Sequence, residues 1–189
     1  MQTAGSFPAA VVACETPARP RPASYPAPLA IAIEHREKRT LGDLSGISHF
    51  GVNLARVQPG GCSSLRHAHA SQDEFIYILE GNPTLVTDEG ETALAPGMCA
   101  GFRAGGGNAH HLLNRTATDV VYLEIGDRTT PEVVTFPGEA FQAVCGADGQ
   151  WRYLLPDGTP YQAFPGATPG TAAHAIRRTR VPPPPRKAG

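Results

Sequence analysis

Short runs of β-branched and aromatic residues, separated by turn residues, fill the middle of the chain. The runs are FGVNLARV, EFIYILE, PTLVT, ETALA, MCAGF, HLLN and VVYLEIG. Between them lie the turn-forming segments PGG, EGN, TDEG, APG and AGGGN, without a helical interval. Consecutive short strands pair through antiparallel hairpins and close into a sandwich or jelly-roll barrel that protects their edges. The sequence therefore predicts an all-β fold, with at most one short helical turn between residues 41 and 50.

Composition agrees with this fold class and limits the partners. A chain of 189 residues suffices for one domain with a sizeable core, and its 21 Gly and 19 Pro fit many tight turns. The formal net charge of -1 provides no general attraction to nucleic acid or to an anionic membrane. No apolar run reaches the roughly 18 residues needed to span a bilayer. We therefore expect a small-molecule ligand or substrate, and neither a membrane nor a nucleic-acid partner.

The four cysteines indicate the redox compartment. Cys14, Cys62, Cys99 and Cys145 are widely spaced in a chain that is long enough to build its own core. This spacing favours neither a disulfide framework nor a zinc site of the CxxC type. We therefore expect a protein of the reducing cytoplasm.

Two changes in composition set the expected domain boundaries. Residues 1–28 are rich in Ala and Pro and lack apolar periodicity, which predicts an N-terminal arm. Residues 166–189 include RRTRVPPPPRKAG and no acidic residue, which predicts a basic, Pro-rich, disordered tail. The expected barrel domain is residues 29–165, with its core motifs at 61–114.

The stretch RHAHASQDEF, residues 66–75, carries the first chemical signal. Side chains two residues apart on a strand point to the same side, so His67 and His69 can bind one ion. In the strand that follows, Glu74 shares a face with Ile76 and Ile78. If that face looks into the barrel, the carboxylate enters the interior beside the two imidazoles. A divalent cation would remove the cost of burying it, so these residues predict a metal site.

A further ligand is expected from the segment GGGNAHHLLN. His110 and His111 are adjacent, so only one of them can face inward. His110 shares its face with Leu112 and Asn114, which favours His110 as the fourth ligand. His111 then faces the surface or a second layer of packing.

The residues of this region resemble the motifs of the cupin superfamily. The first motif, Gly-x5-His-x-His-x4-Glu-x6-Gly, is matched at every fixed position, by Gly61, His67, His69, Glu74 and Gly81. The second motif matches less closely. Its Gly-x5-Pro-x-Gly part begins at Gly97 but has Arg103 in place of proline, and four residues instead of two precede His110. His110 and Asn114 restore its His-x3-Asn part, and the irregular spacing leaves His111 as the alternative ligand.

The resemblance implies a fold, a cofactor and an assembly. The fold is a conical jelly roll, or double-stranded β-helix, with one divalent transition metal ion held by His67, His69, Glu74 and His110. Three nitrogens and one carboxylate oxygen suit Fe, Mn, Ni, Co, Cu or Zn, and an octahedral ion would keep two positions open for substrate, water or oxygen. Relatives of this kind commonly form homodimers, and open sheet edges with exposed aromatic residues lead us to expect a homodimer built by sheet pairing.

Three functional classes stay open at this point. The first is a metal-dependent enzyme acting on a sugar or carboxylate, as an oxygenase, isomerase or epimerase, decarboxylase or lyase. The second is a non-catalytic module that binds or senses a sugar or another small ligand. A storage barrel with a vestigial site is the least favoured, because the first motif is complete. An acid or base near the metal would favour the enzyme, with Glu80, Glu124 and Tyr122 as candidates, and Arg103 is a candidate contact for an anionic substrate.

Overall fold

The computed structural model describes residues 7–20 and 25–161, so the predicted tail at 166–189 lies outside the described residues. The strands are Arg36–Thr40 (β1), Phe50–Val57 (β2), Ala68–His69 (β3), Glu74–Glu80 (β4), Thr84–Thr87 (β5), Gly90–Ala93 (β6), Cys99–Phe102 (β7), His111–Leu113 (β8), Val120–Asp127 (β9), Glu132–Thr135 (β10), Gln142–Cys145 (β11) and Trp151–Leu154 (β12). The helical elements are the α-helices Ala27–Ala32 (α1) and Leu41–Leu44 (α2) and a 3₁₀ turn at Ala13–Glu15. Neither α-helix has the length or apolar character needed to cross a bilayer.

All strand pairs in the described chain are antiparallel, and the strands form three sheets. The orders are β1-β2-β9-β4-β7, β12-β11-β10-β3 and β6-β5-β8. Isolated bridges between His67 and His110 and between Cys62 and Leu113 join the two smaller sheets into one layer. This layer faces the five-stranded sheet, so the predicted all-β, antiparallel jelly-roll barrel is confirmed.

Period-two alternation directs the core residues of the five-stranded sheet inward. On β4, Ile76 and Ile78 are 2% and 0% exposed and face the core. Phe75 and Tyr77, which alternate with them along the strand, face outward. One core cluster fills the space between this sheet and the β6-β5-β8 sheet, and consists of Ala55, Val57, Ile76, Ile78, Leu85, Leu94, Leu112, Val120 and Tyr122. Burial of these apolar side chains is the main force that holds the two layers together.

A second core cluster explains why α1 forms. Leu29, Ala32 and Ile33 pack with Val134 and Ala143 of the β12-β11-β10-β3 sheet, and with two aromatic residues of the β10–β11 connection, Phe136 and Phe141. Six residues are too few for an independently stable helix, so tertiary packing of its apolar face stabilises α1. The sequence analysis missed this helix because Ala27 and Pro28 belong to a segment without apolar periodicity. By contrast, α2 lies where one helical turn was predicted.

The N-terminal segment lies against the edge strand β1. The Arg19 backbone N–H donates to the Lys38 carbonyl at 2.8 Å, and the Arg39 side chain donates to the Thr16 carbonyl. These contacts cover part of an edge that would otherwise present unpaired backbone groups. The exact division of the chain into arm, barrel and tail stays a prediction.

Candidate metal centre

Three of the predicted ligands come together at one end of the barrel interior. Among His67, His69 and Glu74, one donor atom from each lies within 4.8 Å of the others. His69 Nε2 is 3.3 Å and His67 Nε2 is 3.7 Å from Glu74 Oε2. The side chains of His67, His69 and Glu74 are 13%, 17% and 15% exposed, respectively. Two imidazoles and a carboxylate therefore share a space that is shielded but still reached by solvent.

His110, the candidate fourth ligand, lies beside this group. Its Nε2 atom lies 3.5 Å from Glu74 Oε1, and its backbone pairs with that of His67. The ring stacks on Phe102, with ring centroids 3.4 Å apart and planes within 2°. Because His110 is 4% exposed, its orientation is set by packing rather than by solvent.

His111 lies outside this group. Its Nδ1 atom is hydrogen-bonded to the Ser64 carbonyl at 3.0 Å, and burial lowers the pKa of His111 to about 4. The ring is therefore neutral near pH 7 and belongs to the packing between strands. This placement agrees with the prediction that adjacent histidines leave the strand on opposite faces.

Backbone and side-chain partners orient the other two imidazoles. His67 Nδ1 is hydrogen-bonded to the Leu65 carbonyl at 2.9 Å, which leaves its Nε2 facing Glu74. His69 Nδ1 lies 3.4 Å from Glu132 Oε1. In metal sites, the nitrogen of a ligating histidine that does not bind the ion is usually held by a carbonyl or carboxylate in this way.

Glu132 is a buried acid beside the candidate ligands that the sequence analysis missed. Its carboxylate is fully buried and accepts hydrogen bonds from the backbone N–H groups of Ala70 and Ser71 at 2.9 and 2.8 Å. It thereby holds the turn after β3 and places an acceptor beside His69. No motif marks Glu132. The only signal in the sequence is an isolated acid at the start of the apolar strand β10.

The electrostatics of the group fit a cation. Burial raises the pKa of the Glu74 carboxyl, but contacts from His110, His67 and His69 outweigh this effect and hold the pKa well below its usual range. His110 Nδ1 and His110 Nε2 are buried and lack a hydrogen-bond partner among the described residues, and the contact of His69 Nδ1 with Glu132 does not have the geometry of a hydrogen bond. Unpaired buried polar atoms are costly, and an ion bound through His110 Nε2 would satisfy one of them. Three imidazoles and a carboxylate are a donor set suited to a divalent transition metal ion.

The remaining residues of the two motifs support the backbone around the site. Gly81 has φ +78°, and a Cβ there would lie 2.4 Å from the Asp119 carbonyl oxygen. Asn114 Nδ2 donates to the Val57 and Thr118 carbonyls at 2.9 and 2.8 Å. These residues shape the ends of the strands and do not face the histidines.

The candidate acids, bases and substrate contacts named from the sequence lie at different distances from the histidines. Glu80 is exposed at the end of β4, which places it away from the group. Tyr122 and Glu124 both lie on the inner face of β9, and the buried hydroxyl of Tyr122 has no hydrogen-bond partner within residues 7–20 and 25–161. Arg103 and Glu74 line one open cleft of about 400 Å³ at the end of the sheet. No carboxylate among the described residues forms an ion pair with Arg103.

Comparisons with known proteins agree with the fold and the motifs. A family model described as "Cupin domain" matches residues 53–126. A solved structure of a sugar phosphate isomerase from a cupin superfamily, from Silicibacter pomeroyi, is 42% identical, with 74% of this chain and 88% of that chain covered and a TM-score of 0.69. A candidate sugar phosphate isomerase from Acidithiobacillus ferrooxidans is 29% identical, with 67% and 80% covered and a TM-score of 0.60.

A more distant structure shares the fold alone. The polyketide cyclase RemF from Streptomyces resistomycificus is 20% identical, with 65% of this chain and 82% of that chain covered and a TM-score of 0.53. Curated proteins provide no significant match. The family-model match lies on the barrel strands that carry the motifs, and the 42% identity extends over most of a cupin structure. On these grounds the chain belongs to the cupin superfamily.

Proposed function

We propose that this cupin is a metal-dependent isomerase of a sugar phosphate. The observation that carries the proposal is the convergence of His67, His69 and His110 on the Glu74 carboxylate inside the barrel. The reaction class is supported by the 42% identity to the Silicibacter pomeroyi sugar phosphate isomerase, of which 88% is covered. A divalent metal ion bound by these four residues would polarise oxygens of the sugar and stabilise developing negative charge.

The cleft beside the site supports an anionic substrate. Arg103 and Glu74 both line it, together with Phe75 and Ile125 of the outer face of the sheet. The carboxylates of the two aspartates in this cleft accept hydrogen bonds from backbone N–H groups and do not pair with Arg103. Asp73 accepts from the Ala104 N–H at 2.7 Å, and Asp127 accepts from the Asp73 N–H at 2.8 Å. Arg103 is therefore available for a phosphate, which guanidinium groups bind well.

The proposal is tested first by metal analysis and then by turnover. Protein purified without added metal is assayed for Fe, Mn, Ni, Co, Cu and Zn, stripped, reloaded with the metal found, and incubated with a panel of aldose and ketose phosphates. Conversion followed by NMR supports the proposal, and the unphosphorylated sugars serve as the matched controls. Binding without conversion would instead support a sugar-binding module. The absence of both metal and conversion would contradict the proposed function.

Glu132 provides a prediction about how His69 is held. Glu132→Gln keeps the size of the side chain but removes the charge beside His69 Nδ1 and an acceptor for the Ala70 and Ser71 N–H groups. Metal affinity should fall by about 10- to 100-fold, as for other residues that orient a metal-ligating histidine. Metal titration monitored by calorimetry measures the change. Glu139→Gln, in the loop after β10, is the control and should keep the wild-type affinity.

We further propose that the homodimer forms through the outer face of the five-stranded sheet, with a second copy of the chain as the partner. Phe75, Tyr77 and Leu79 lie in a row on β4 and are 39%, 38% and 40% exposed. The strand β4 is internal to its sheet, so these side chains form part of a broad apolar face. The edge strand β1 is charged and partly covered by the N-terminal segment, which disfavours pairing through that edge.

A charge in the apolar face should separate the copies. Tyr77→Lys places a cation on both halves of a two-fold interface, so the variant is expected to run as a monomer in light scattering at micromolar concentration. Trp151→Lys, which alters an exposed aromatic residue on β12, should leave the dimer intact. A wild-type protein with the mass of a monomer would contradict the proposed dimer, and a dimeric Tyr77→Lys variant would place the interface elsewhere.

The cytoplasmic location also stays a proposal. All four cysteines are free thiols, which fits a reducing compartment.

A further inference from the structure

An ion pair lies on the inner face of the five-stranded sheet. Lys38 Nζ donates to Glu124 Oε1 and so links β1 to β9 across β2. Asn53 Nδ2 lies 3.3 Å from the same oxygen. The Lys38 and Glu124 side chains are 20% and 18% exposed, close to the values for the histidines of the candidate metal centre. The two charged groups are therefore mostly, but not completely, shielded from solvent.

The register of the strands places this pair close to Glu74. Glu124 lies opposite Ile76, and Gly126 lies opposite Glu74. Glu124 and Glu74 are thus diagonal neighbours on one face of the sheet, a relation that corresponds to about 7–8 Å. Gly126 has no side chain to separate them. A sugar with one end at Glu74 would bring its next carbons close to the Glu124 carboxylate.

The pair is costly for the fold, which argues for a function. Removing two charges from water costs more than a surface ion pair returns, and an apolar pair could fill the same space. The sequence has only two lysines, Lys38 and Lys187, and Lys38 lies on a strand of the barrel. Burial lowers the pKa of Lys38, although Glu124 opposes this effect. The small Ala55, fully buried on β2 opposite Lys38, lets the long side chain cross to Glu124.

We infer, on the basis of the proposed isomerase function, that Glu124 is the base that transfers the carbon-bound proton of the sugar phosphate, and that Lys38 is a positioning residue that orients its carboxylate. In the aldose-to-ketose direction, the Glu124 carboxylate takes the proton from C2, the electron pair of the C–H bond forms a C1=C2 double bond, and the electron pair of the C1=O1 double bond moves onto O1. The hydroxyl proton of O2 passes to O1, the C2=O2 double bond forms, and the electron pair of the C1=C2 bond becomes available to C1. Glu124 then returns its proton to C1. One hydrogen has moved from C2 to C1 and one from O2 to O1, without an oxidant or reductant.

Glu124→Gln tests the role of the base. The amide has the size of the carboxylate and can still accept a hydrogen bond from Lys38, but it cannot take a proton from carbon. Positioned acid–base groups contribute about 10²- to 10⁴-fold, so kcat should fall by that factor while KM and metal content stay within about threefold of wild type. In D₂O the proton held on Glu124 exchanges with solvent in a fraction of turnovers before it is returned, so wild-type ketose brought to equilibrium should accumulate deuterium at C1, and residual product from the variant should form at the reduced rate. Glu91→Gln, an exposed acid paired with Arg115, is the matched control.

Lys38 is tested by two variants and by a spectroscopic readout. Lys38→Met should lower kcat, and Lys38→Arg should recover part of the loss because it restores a donor to Glu124. With ¹⁵N-lysine labelling, the protein should show two side-chain signals. Addition of the sugar phosphate to the metal-loaded protein should shift the signal that is absent from the Lys38→Arg variant and is thereby assigned to Lys38.

The outcomes separate this inference from the proposed function. Wild-type turnover together with unchanged kcat in Glu124→Gln would overturn the role of Glu124 and leave the isomerase proposal standing. Ketose that carries no deuterium at C1 even after many reversible turnovers in D₂O, formed by a wild-type enzyme that is sensitive to Glu124→Gln, would overturn a carbon-bound proton held on Glu124 and so overturn its role as the base. A wild-type protein that converts no sugar phosphate would overturn both. Circular dichroism of each variant confirms that a loss of turnover is not a loss of folding.

Discussion

Glu74→Ala is expected to abolish tight metal binding while leaving the barrel folded. The Glu74 carboxylate is the common partner of His67, His69 and His110, so its removal takes away one ligand and the negative charge that offsets the cation. Residues that only orient a ligand cost about 10- to 100-fold in affinity when changed, so loss of a direct ligand should exceed about 100-fold. Ile76 and Ile78 on the same strand stay buried, and the core therefore keeps its packing.

Two measurements check this expectation. Elemental analysis should find the wild-type protein loaded and the variant empty under the same conditions. In thermal or denaturant unfolding, free metal at 100 times the wild-type Kd should stabilise the wild-type protein by about 2.7 kcal/mol and leave the variant unchanged. Glu80→Ala, at the exposed end of the same strand, is the control and should retain the metal. Full occupancy in Glu74→Ala, or in the corresponding His69→Ala variant, would show that the site is wrongly assigned.

The adjacent histidines should respond in opposite ways. His110→Ala is expected to lower metal affinity by more than about 100-fold, since it removes a ligand. His111→Ala should leave the metal bound and cost about 1 kcal/mol of stability through the lost hydrogen bond to the Ser64 carbonyl. His111 should not rescue the His110 variant, because its ring leaves the strand on the opposite face.

A second variant separates ligand loss from a packing defect. His110→Phe keeps an aromatic ring against Phe102 and removes both ring nitrogens. It should lose the metal as His110→Ala does, but with less loss of stability. Equal losses of affinity in the His110 and His111 variants would mean that the loop deforms so that either residue can bind. A loss in His111→Ala alone would mean that the register of β8 is wrong.

Local sequence patterns were sufficient for much of the fold and for the candidate ligands. The runs FIYIL and HLLN alternate with period two, so the burial of Ile76, Ile78, Leu112 and Asn114 could be predicted residue by residue. The same rule placed Glu74 inward and separated His110 from His111. These relations depend only on the geometry of a strand, which does not change with the rest of the structure.

The tertiary structure alone decided the elements and residues that depend on distant partners. The strand β1 has the sequence REKRT, which has no apolar alternation, and it is a strand because β2 pairs with it. The helix α1 depends on the second core cluster. Context of this kind overrides local propensity, so short charged or irregular segments are the ones that sequence patterns miss.

The site shows the same division. The sequence by itself singled out the candidate ligands His67, His69 and Glu74, because they lie within eight residues of one another and follow the alternation of strands. Only the tertiary structure revealed Glu132, which is 62 residues from the backbone N–H that it binds at Ala70, and the pairing of Lys38 with Glu124, which are 86 residues apart. Contacts over such separations are created by the closure of the barrel, and no local pattern in the chain encodes them.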